Sequence, residues 1–225
     1  FTKINKRDNI LPVSLYGNSK DGTLVFKKWS APIDSIGLVT VPSKDLKRLE
    51  LNKQGFITEY NRGNNIKRFG SVFNRPIQFR LFKDVQDHRF NQMFFMPVVE
   101  YNLYDGITTG LKLYNNTFLP KGVHYKLEPQ YGFKSKKLIG SASLQYTSQF
   151  EQGRLRSIRY GFSGNYFSYD TGLFYKRFTP FMTFAFSNQD IRNNEKQFIS
   201  LRNVTVSRDI NPNNPQPDPN YSVFN

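Results

Sequence analysis

Two groups of polar residues in this 225-residue chain have types and spacing that catalysis or metal binding could use. Asp84, Asp87 and His88 offer carboxylate and imidazole ligands, but three neighbours in one loop do not enclose an ion, so a solvated turn is the better interpretation. Glu100 and Glu128 could form a carboxylate pair for general acid–base catalysis. Each lies in a predicted strand with few other charges, and we favour interior charges that pair with Arg or Lys.

The composition excludes most other catalytic chemistry. The chain has no cysteine, which rules out disulfide scaffolds, thiol nucleophiles and Cys-type zinc sites. His88 and His124 are its only histidines, and they lie too far apart for a His-Glu-x-x-His zinc helix; His124 is interpreted as a pore-lining or interfacial side chain. The sequence also lacks a Gly-x-Ser-x-Gly elbow, a phosphate-binding glycine loop and a calcium loop. We therefore assign no catalytic, cofactor-binding or metal-ligating residue.

A basic patch interleaved with aromatic residues could bind nucleic acid. The formal net charge is +15, and cations that track phosphates beside aromatic faces that stack on bases are typical of single-strand binders. The patch consists of Arg62, Lys67, Arg68, Arg75 and Arg80. Because aromatic residues continue at strand spacing far beyond this patch, we favour contact with anionic lipid headgroups and keep nucleic acid as the alternative.

The elements that carry these residues are predicted to be strands. Aromatic residues make up 16% of the chain, which argues against disorder, and no stretch approaches the roughly 20 apolar residues of a spanning helix. Short β-prone runs between turn signals predict a small antiparallel β-sandwich-like module over residues 1–70. The polar, Gly/Asn-rich residues 55–75 suggest a linker or extended bridge, and the domain boundaries place the linker at residues 71–92.

Residues 93–225 alternate between apolar and small polar side chains over segments of about ten residues, as membrane-spanning strands do. The predicted segments include residues 94–103, 138–147, 157–166, 172–178 and 181–187. We predict lipid-facing side chains at Leu138, Leu144, Tyr146, Tyr160, Phe162, Tyr166, Met182, Phe184 and Phe186. Lys and Arg cluster in the connections, which favours an outer-membrane β-barrel over a soluble barrel.

Several motifs support a family resemblance. They are Lys6-Arg7-Asp8-Asn9-Ile10-Leu11-Pro12-Val13, Val25-Phe26-Lys27-Lys28-Trp29, Glu59-Tyr60-Asn61-Arg62-Gly63-Asn64-Asn65, Tyr101-Asn102-Leu103-Tyr104-Asp105-Gly106-Ile107, Gly110-Leu111-Lys112-Leu113-Tyr114-Asn115, Gly140-Ser141-Ala142 and Arg208-Asp209-Ile210-Asn211-Pro212 with Pro219-Asn220-Tyr221-Ser222-Val223. They resemble the region that follows the catalytic part of gluzincin, alanyl-aminopeptidase-like zinc metallopeptidases of Gram-negative bacteria. That region is a β-sandwich followed by an outer-membrane β-barrel extension.

The resemblance implies a non-catalytic C-terminal scaffold and outer-membrane anchor. No position matches the family's zinc-binding helix, so zinc is expected in the parent's missing catalytic region and the chain is expected to be part of a longer protein. The implied partners are outer-membrane lipid and that catalytic region. The expected location is the bacterial outer membrane, with residues 1–70 in the periplasm or at the cell surface. The alternative is a soluble all-β binding module with a basic polyanion-binding surface.

Overall fold

The computed structural model describes residues 2–4, 12–29, 36–42, 44–59, 62–83, 85–117, 122–150, 153–188, 192–213 and 219–225. Over these residues the chain is all-β, apart from one 3-10 turn at Arg62–Asn65, so the all-β prediction is confirmed. None of the described helical segments is long and apolar enough to cross a bilayer. The chain divides into two compact units, residues 1–78 with 87–91, and residues 79–86 with 92–225.

The first unit contains a two-stranded and a four-stranded antiparallel sheet. Its strands are β1 (Thr2–Ile4), β2 (Ser14–Asn18), β3 (Leu24–Trp29), β4 (Ile36–Leu38), β5 (Arg48–Leu51) and β6 (Ile66–Arg68). β1 pairs with β4, and the larger sheet has the order β3-β2-β5-β6. β6 lies within residues 55–75, which the sequence predicts to be a linker or extended bridge. Its three residues instead pair with β5 and form an edge strand of the sheet.

The core of the first unit is small. Leu15, Leu46 and Leu49 are buried together, with Phe26 packed against them. Gly17 is opposite Phe26, and a Cβ atom there would lie 2.1 Å from the Phe26 ring. The ring thus fills the space that a side chain at residue 17 would need.

We expect Leu49→Ala to lower the free energy of unfolding of this unit by about 2–5 kcal/mol, because it empties a fully buried site. Trp29, the only tryptophan of the chain, lies in the same sheet, so its fluorescence during urea titration reports on this unit. Leu24→Ala is the matched control, since Leu24 is 57% exposed. Equal losses in the two variants would contradict this description of the core.

Nine antiparallel strands in sequential order form the second sheet. They are β7 (Ile77–Leu81), β8 (Asn91–Asn102), β9 (Gly106–Tyr114), β10 (Val123–Gly132), β11 (Lys137–Gln149), β12 (Leu155–Asp170), β13 (Leu173–Ser187), β14 (Lys196–Arg208) and β15 (Asn220–Phe224). Among the described residues β7 and β15 are not paired with each other, so the sheet is not closed into a barrel.

β13 corrects one sequence prediction. Residues 172–178 and 181–187 were expected to form separate segments divided by Pro180, but β13 runs continuously through that proline. Pro180 lies opposite Phe162 of β12, whereas the register with β14 passes from Phe178 directly to Phe181. Proline has no backbone N–H. A strand can therefore tolerate it where the neighbouring strand does not require a hydrogen bond from that residue.

Candidate functional site

The register of the nine-stranded sheet decides which side chains share a face. Residues directly opposite one another across a ladder point to the same side of a sheet. Tyr146 of β11 is opposite Tyr160 of β12, which is opposite Met182 of β13 and, through it, Leu201 of β14. By the same alternation all nine residues predicted to face lipid lie on this side, which we name the apolar face.

The apolar face extends across β8 to β14 and is largely exposed. Val99 and Tyr101 of β8 are 71% and 74% exposed, and Leu138 of β11 is 65% exposed. Of the nine predicted lipid-facing residues, six are exposed and three, Tyr166, Phe184 and Phe186, are half-buried. The face therefore presents a continuous apolar and aromatic surface rather than isolated apolar side chains.

Aromatic rings on this face pack across neighbouring strands. Tyr146 and Tyr160 have ring centroids 5.7 Å apart, and Phe162 and Phe178 have centroids 5.8 Å apart. Such cross-strand aromatic pairs contribute roughly 0.2–1 kcal/mol each and help to fix strand register. The exposed face is thus also an ordered one.

Charge is almost absent from the apolar face. In the described parts of β8 to β15, Lys176 of β13 is the charged side chain that the register assigns to this face, and Arg156 lies at a register shift near the start of β12. The Lys176 ammonium lies 5.7 Å from the centre of the Tyr166 ring, close to the 171–172 turn. A lysine in that position can keep its charge in water while its stem covers apolar surface.

The opposite side, which we name the polar face, carries Ser, Thr, Gly, Gln and most of the charges. Gln130 of β10 is 1% exposed and accepts a 2.8 Å hydrogen bond from Thr108 Oγ1. Its Nε2 donates to Glu100 Oε2 at 3.2 Å and to Glu128 Oε1 at 3.3 Å. Lys126 Nζ lies 2.7 Å from Glu128 Oε2.

This network includes Glu100 and Glu128, the two glutamates that the sequence analysis considered as a carboxylate pair. Glu100 and Glu128 are brought together through Gln130, and Glu128 forms the predicted ion pair with a basic residue, Lys126. Gln130 itself was missed, since only the register reveals that an amide lies between two carboxylates. The arrangement holds β8, β9 and β10 together on the polar face.

Burial is concentrated on the polar face of β8 to β11. Gln92, Phe94, Thr108, Gln130 and Ile139 all lie there and are at most 4% exposed. A sheet that curls around one face buries the side chains on its inner side. The polar face is therefore the inner face of this part of the sheet.

The connections differ between the two ends of the strands. At one end β8–β9, β10–β11 and β12–β13 are joined by residues 103–105, 133–136 and 171–172. At the other end β9–β10, β11–β12 and β13–β14 are joined by residues 115–122, 150–154 and 188–195. The β14–β15 connection, residues 209–219, lies at the first end, so short turns and longer connections are not fully separated between the two ends.

The basic patch does not form one surface within either unit. Arg62, Lys67, Arg68 and Arg75 belong to the first unit and Arg80 to the second. Arg62 Nη2 donates to the Asn52 and Lys53 carbonyl oxygens at 3.5 Å, and Arg75 Nη1 donates to the His88 carbonyl at 3.2 Å. Burial lowers the pKa of Arg75. At least two of the five cationic side chains thus donate hydrogen bonds to backbone carbonyl oxygens.

The loop that carries His88 is arranged by an ion pair. Asp84 lies outside the described residues, while Asp87 accepts hydrogen bonds from Arg89 Nε and Nη2, with the shortest contact at 2.8 Å. These bonds lower the pKa of Asp87, and burial lowers the pKa of His88. Among the described residues, no group of three or more His, Asp or Glu side chains could hold a metal ion.

No family model, curated protein or solved structure matches this chain. The resemblance to aminopeptidase-like metallopeptidases rests on the sequence motifs quoted above. The distinctive chemistry of the chain lies in the two faces of the nine-stranded sheet, one of which carries almost no charge.

Proposed function

We propose that the chain is a non-catalytic membrane anchor whose nine-stranded sheet forms part of the wall of an outer-membrane β-barrel. The apolar face contacts lipid and the polar face lines the interior. The observation that carries the proposal is the near absence of charge from the apolar face, from β8 to β14, while most charged side chains lie on the polar face.

The large apolar area that the apolar face would expose to water supports this assignment. Contiguous apolar patches on monomeric soluble proteins rarely exceed a few hundred square ångströms, about the area of a few large side chains. The apolar face carries exposed large side chains on seven consecutive strands. β8 to β14 contain 9 to 16 residues each, and a tilted strand needs about 9–11 residues to cross the hydrocarbon core.

The two edges of the sheet set a further requirement. Lipid does not tolerate unpaired backbone groups, so a membrane-embedded sheet needs partners for both β7 and β15, supplied by further strands or, in vesicles that contain this chain alone, by the edges of neighbouring copies. With nine antiparallel strands, β7 and β15 run in the same direction and cannot close the sheet by an antiparallel pair. An odd number of further strands gives the even number that bacterial barrels of this kind contain.

The family resemblance supports a proposal about what is anchored. The motifs suggest that the chain follows the catalytic region of an aminopeptidase-like zinc metallopeptidase, with the zinc held in that region. In this proposal the first unit is a β-sandwich-like module in the periplasm or at the cell surface of a Gram-negative bacterium. The soluble polyanion-binding alternative is less well supported, since Arg62 and Arg75 are engaged with backbone carbonyls.

The absence of native cysteine allows a direct test of which face meets lipid. Leu144→Cys and Gln145→Cys place single thiols on the apolar and polar faces of the same strand. Each full-length variant is labelled with an environment-sensitive dye and refolded into phosphatidylcholine vesicles. We expect the dye at residue 144 to be quenched by nitroxide-labelled lipid and the dye at residue 145 to be quenched by aqueous iodide.

A third labelled variant, Lys20→Cys in the first unit, gives the signal of a site outside the sheet. Neutral lipid is used so that adsorption of a +15 protein to anionic headgroups does not imitate insertion. Equal iodide quenching at residues 144 and 145, with the chain recovered apart from the vesicles, would contradict the proposal and favour the soluble alternative.

A further inference from the structure

A ladder of five cations crosses the polar face of β12, β13 and β14. The ladder consists of Lys196, Arg159, Arg202, Arg177 and Arg208. The first four are exposed and Arg208 is half-buried. They are far apart in sequence, so only the strand register shows that they form one row.

The register gives the order of the cations along the strands. Phe181 of β13 is opposite Arg202, and two residues from it Thr183 is opposite Arg159. Arg177 is four residues from Phe181 in the other direction. At about 3.3 Å per residue, successive cations are about 7–13 Å apart along the strand direction, from one end of the strands to the other.

Over most of its length the ladder is not neutralised on its own face. Between Ser157 and Phe167 of β12, and along β13 and β14, the polar face carries no Asp or Glu. Asp170, beyond a register shift in β12, is opposite Leu173 and lines a cavity with Arg208 at one end of the ladder. Within the described ranges none of the five cations takes part in an ion pair. Asn165, with its amide oriented to donate to the Gly164 carbonyl, accepts a hydrogen bond from Arg177 Nη2, which leaves the charge uncompensated.

The remaining strands of the same face are different. On β8 to β10, Glu100 and Glu128 accompany Lys112 and Lys126, and Lys126 pairs with Glu128. Cations without accompanying carboxylates are therefore not a general property of the polar face. The uncompensated charge is restricted to β12, β13 and β14, where small residues such as Ser163 and Thr183 lie on the same face as the cations.

We propose that this ladder binds small phosphate-bearing anions and guides them along the polar face. Guanidinium groups match phosphate oxygens with two parallel hydrogen bonds, and rows of Arg or Lys line anion- and phosphate-selective pores. The inference rests on the proposed function for the setting of the ladder in a water-filled interior. The ligand is a free solute rather than a lipid headgroup, because the cations point away from the lipid-facing side.

The test is calorimetric titration of inorganic pyrophosphate into the full-length chain in non-ionic detergent micelles. The ladder variant combines Arg159→Gln, Arg177→Gln and Arg202→Gln. The control variant combines Lys20→Gln, Lys44→Gln and Lys47→Gln, which removes the same charge from exposed sites of the first unit. We expect binding to weaken at least about tenfold in the ladder variant and less than about twofold in the control.

A second variant with Lys at the same three ladder positions retains the charge and loses the bidentate geometry. It should bind more weakly than the native chain and more tightly than the Gln variant, and circular dichroism checks that each variant keeps its strands. Equal weakening in the ladder and control variants would overturn the inference, as would binding of dispersed phosphatidic acid without binding of pyrophosphate. The dye-quenching assay of residues 144 and 145 reports lipid insertion separately, so failure of the ladder and failure of the anchor give different results.

Discussion

Phe162→Arg is expected to prevent stable insertion of the sheet into lipid. Phe162 lies near the middle of β12 on the apolar face, opposite Leu144 on one side and Pro180 on the other. An arginine at the bilayer midplane on the lipid-facing side of a barrel strand costs about 2–4 kcal/mol. That cost reduces the equilibrium constant for insertion by about 30- to 1,000-fold, since each 1.4 kcal/mol corresponds to a factor of ten.

Ser163→Arg is the matched control, because the next residue of the same strand points to the polar face. It introduces the same side chain and charge one position away. Folding into vesicles, followed by protease protection of the sheet over a urea series, measures both variants. Similar protection of the two variants, or greater loss in Ser163→Arg, would mean that the apolar face does not meet lipid.

Gly161→Ala is expected to disrupt the pairing of β11 with β12. A Cβ atom at residue 161 would lie 2.2 Å from the Leu144 carbonyl oxygen and 2.7 Å from the Gln145 Cα. Both are backbone atoms, so the clash cannot be relieved by turning a side chain and the two strands must separate. We expect a loss of at least about 3 kcal/mol, at the upper end of the usual cost of overpacking.

Gly164→Ala provides the comparison in the same strand. There the nearest atom to a new Cβ is the Arg177 carbonyl oxygen at 3.7 Å, which is ordinary van der Waals contact. This substitution should change the free energy of unfolding by less than about 1 kcal/mol. Urea titration of both variants in micelles, followed by circular dichroism, measures the difference; a larger loss in Gly164→Ala would contradict the register of β11 and β12.

The elements that could be predicted from sequence are those with strong local patterns. β3 forms over Leu24–Trp29, within the short β-prone runs predicted for residues 1–70, and the alternation around residues 138–146 and 158–166 places the same side chains on one face in the structure. Local alternation is a property of the strand itself. It therefore requires no knowledge of which strands are neighbours.

The features that could not be predicted depend on partners far away in sequence. β6 is three residues long in a polar segment, and only its pairing with β5 makes it a strand. Gln130 became recognisable only when β8 and β10 were placed on either side of β9. The five cations of the ladder likewise come from three strands, and no spacing along the sequence relates Arg159 to Arg202.

The Gln130 network has a consequence for how the sheet responds to its surroundings. Both hydrogens of the Gln130 amide point to carboxylates and its oxygen accepts from Thr108, so three of its four hydrogen-bonding positions are used. A primary amide does not titrate, and the central member of this junction therefore keeps the same donors and acceptor in acid and in alkali. An ionised glutamate at this position could not donate to Glu100 and Glu128, whereas glutamine supplies both donors at every pH, so the link between the three strands does not depend on the protonation of its central residue.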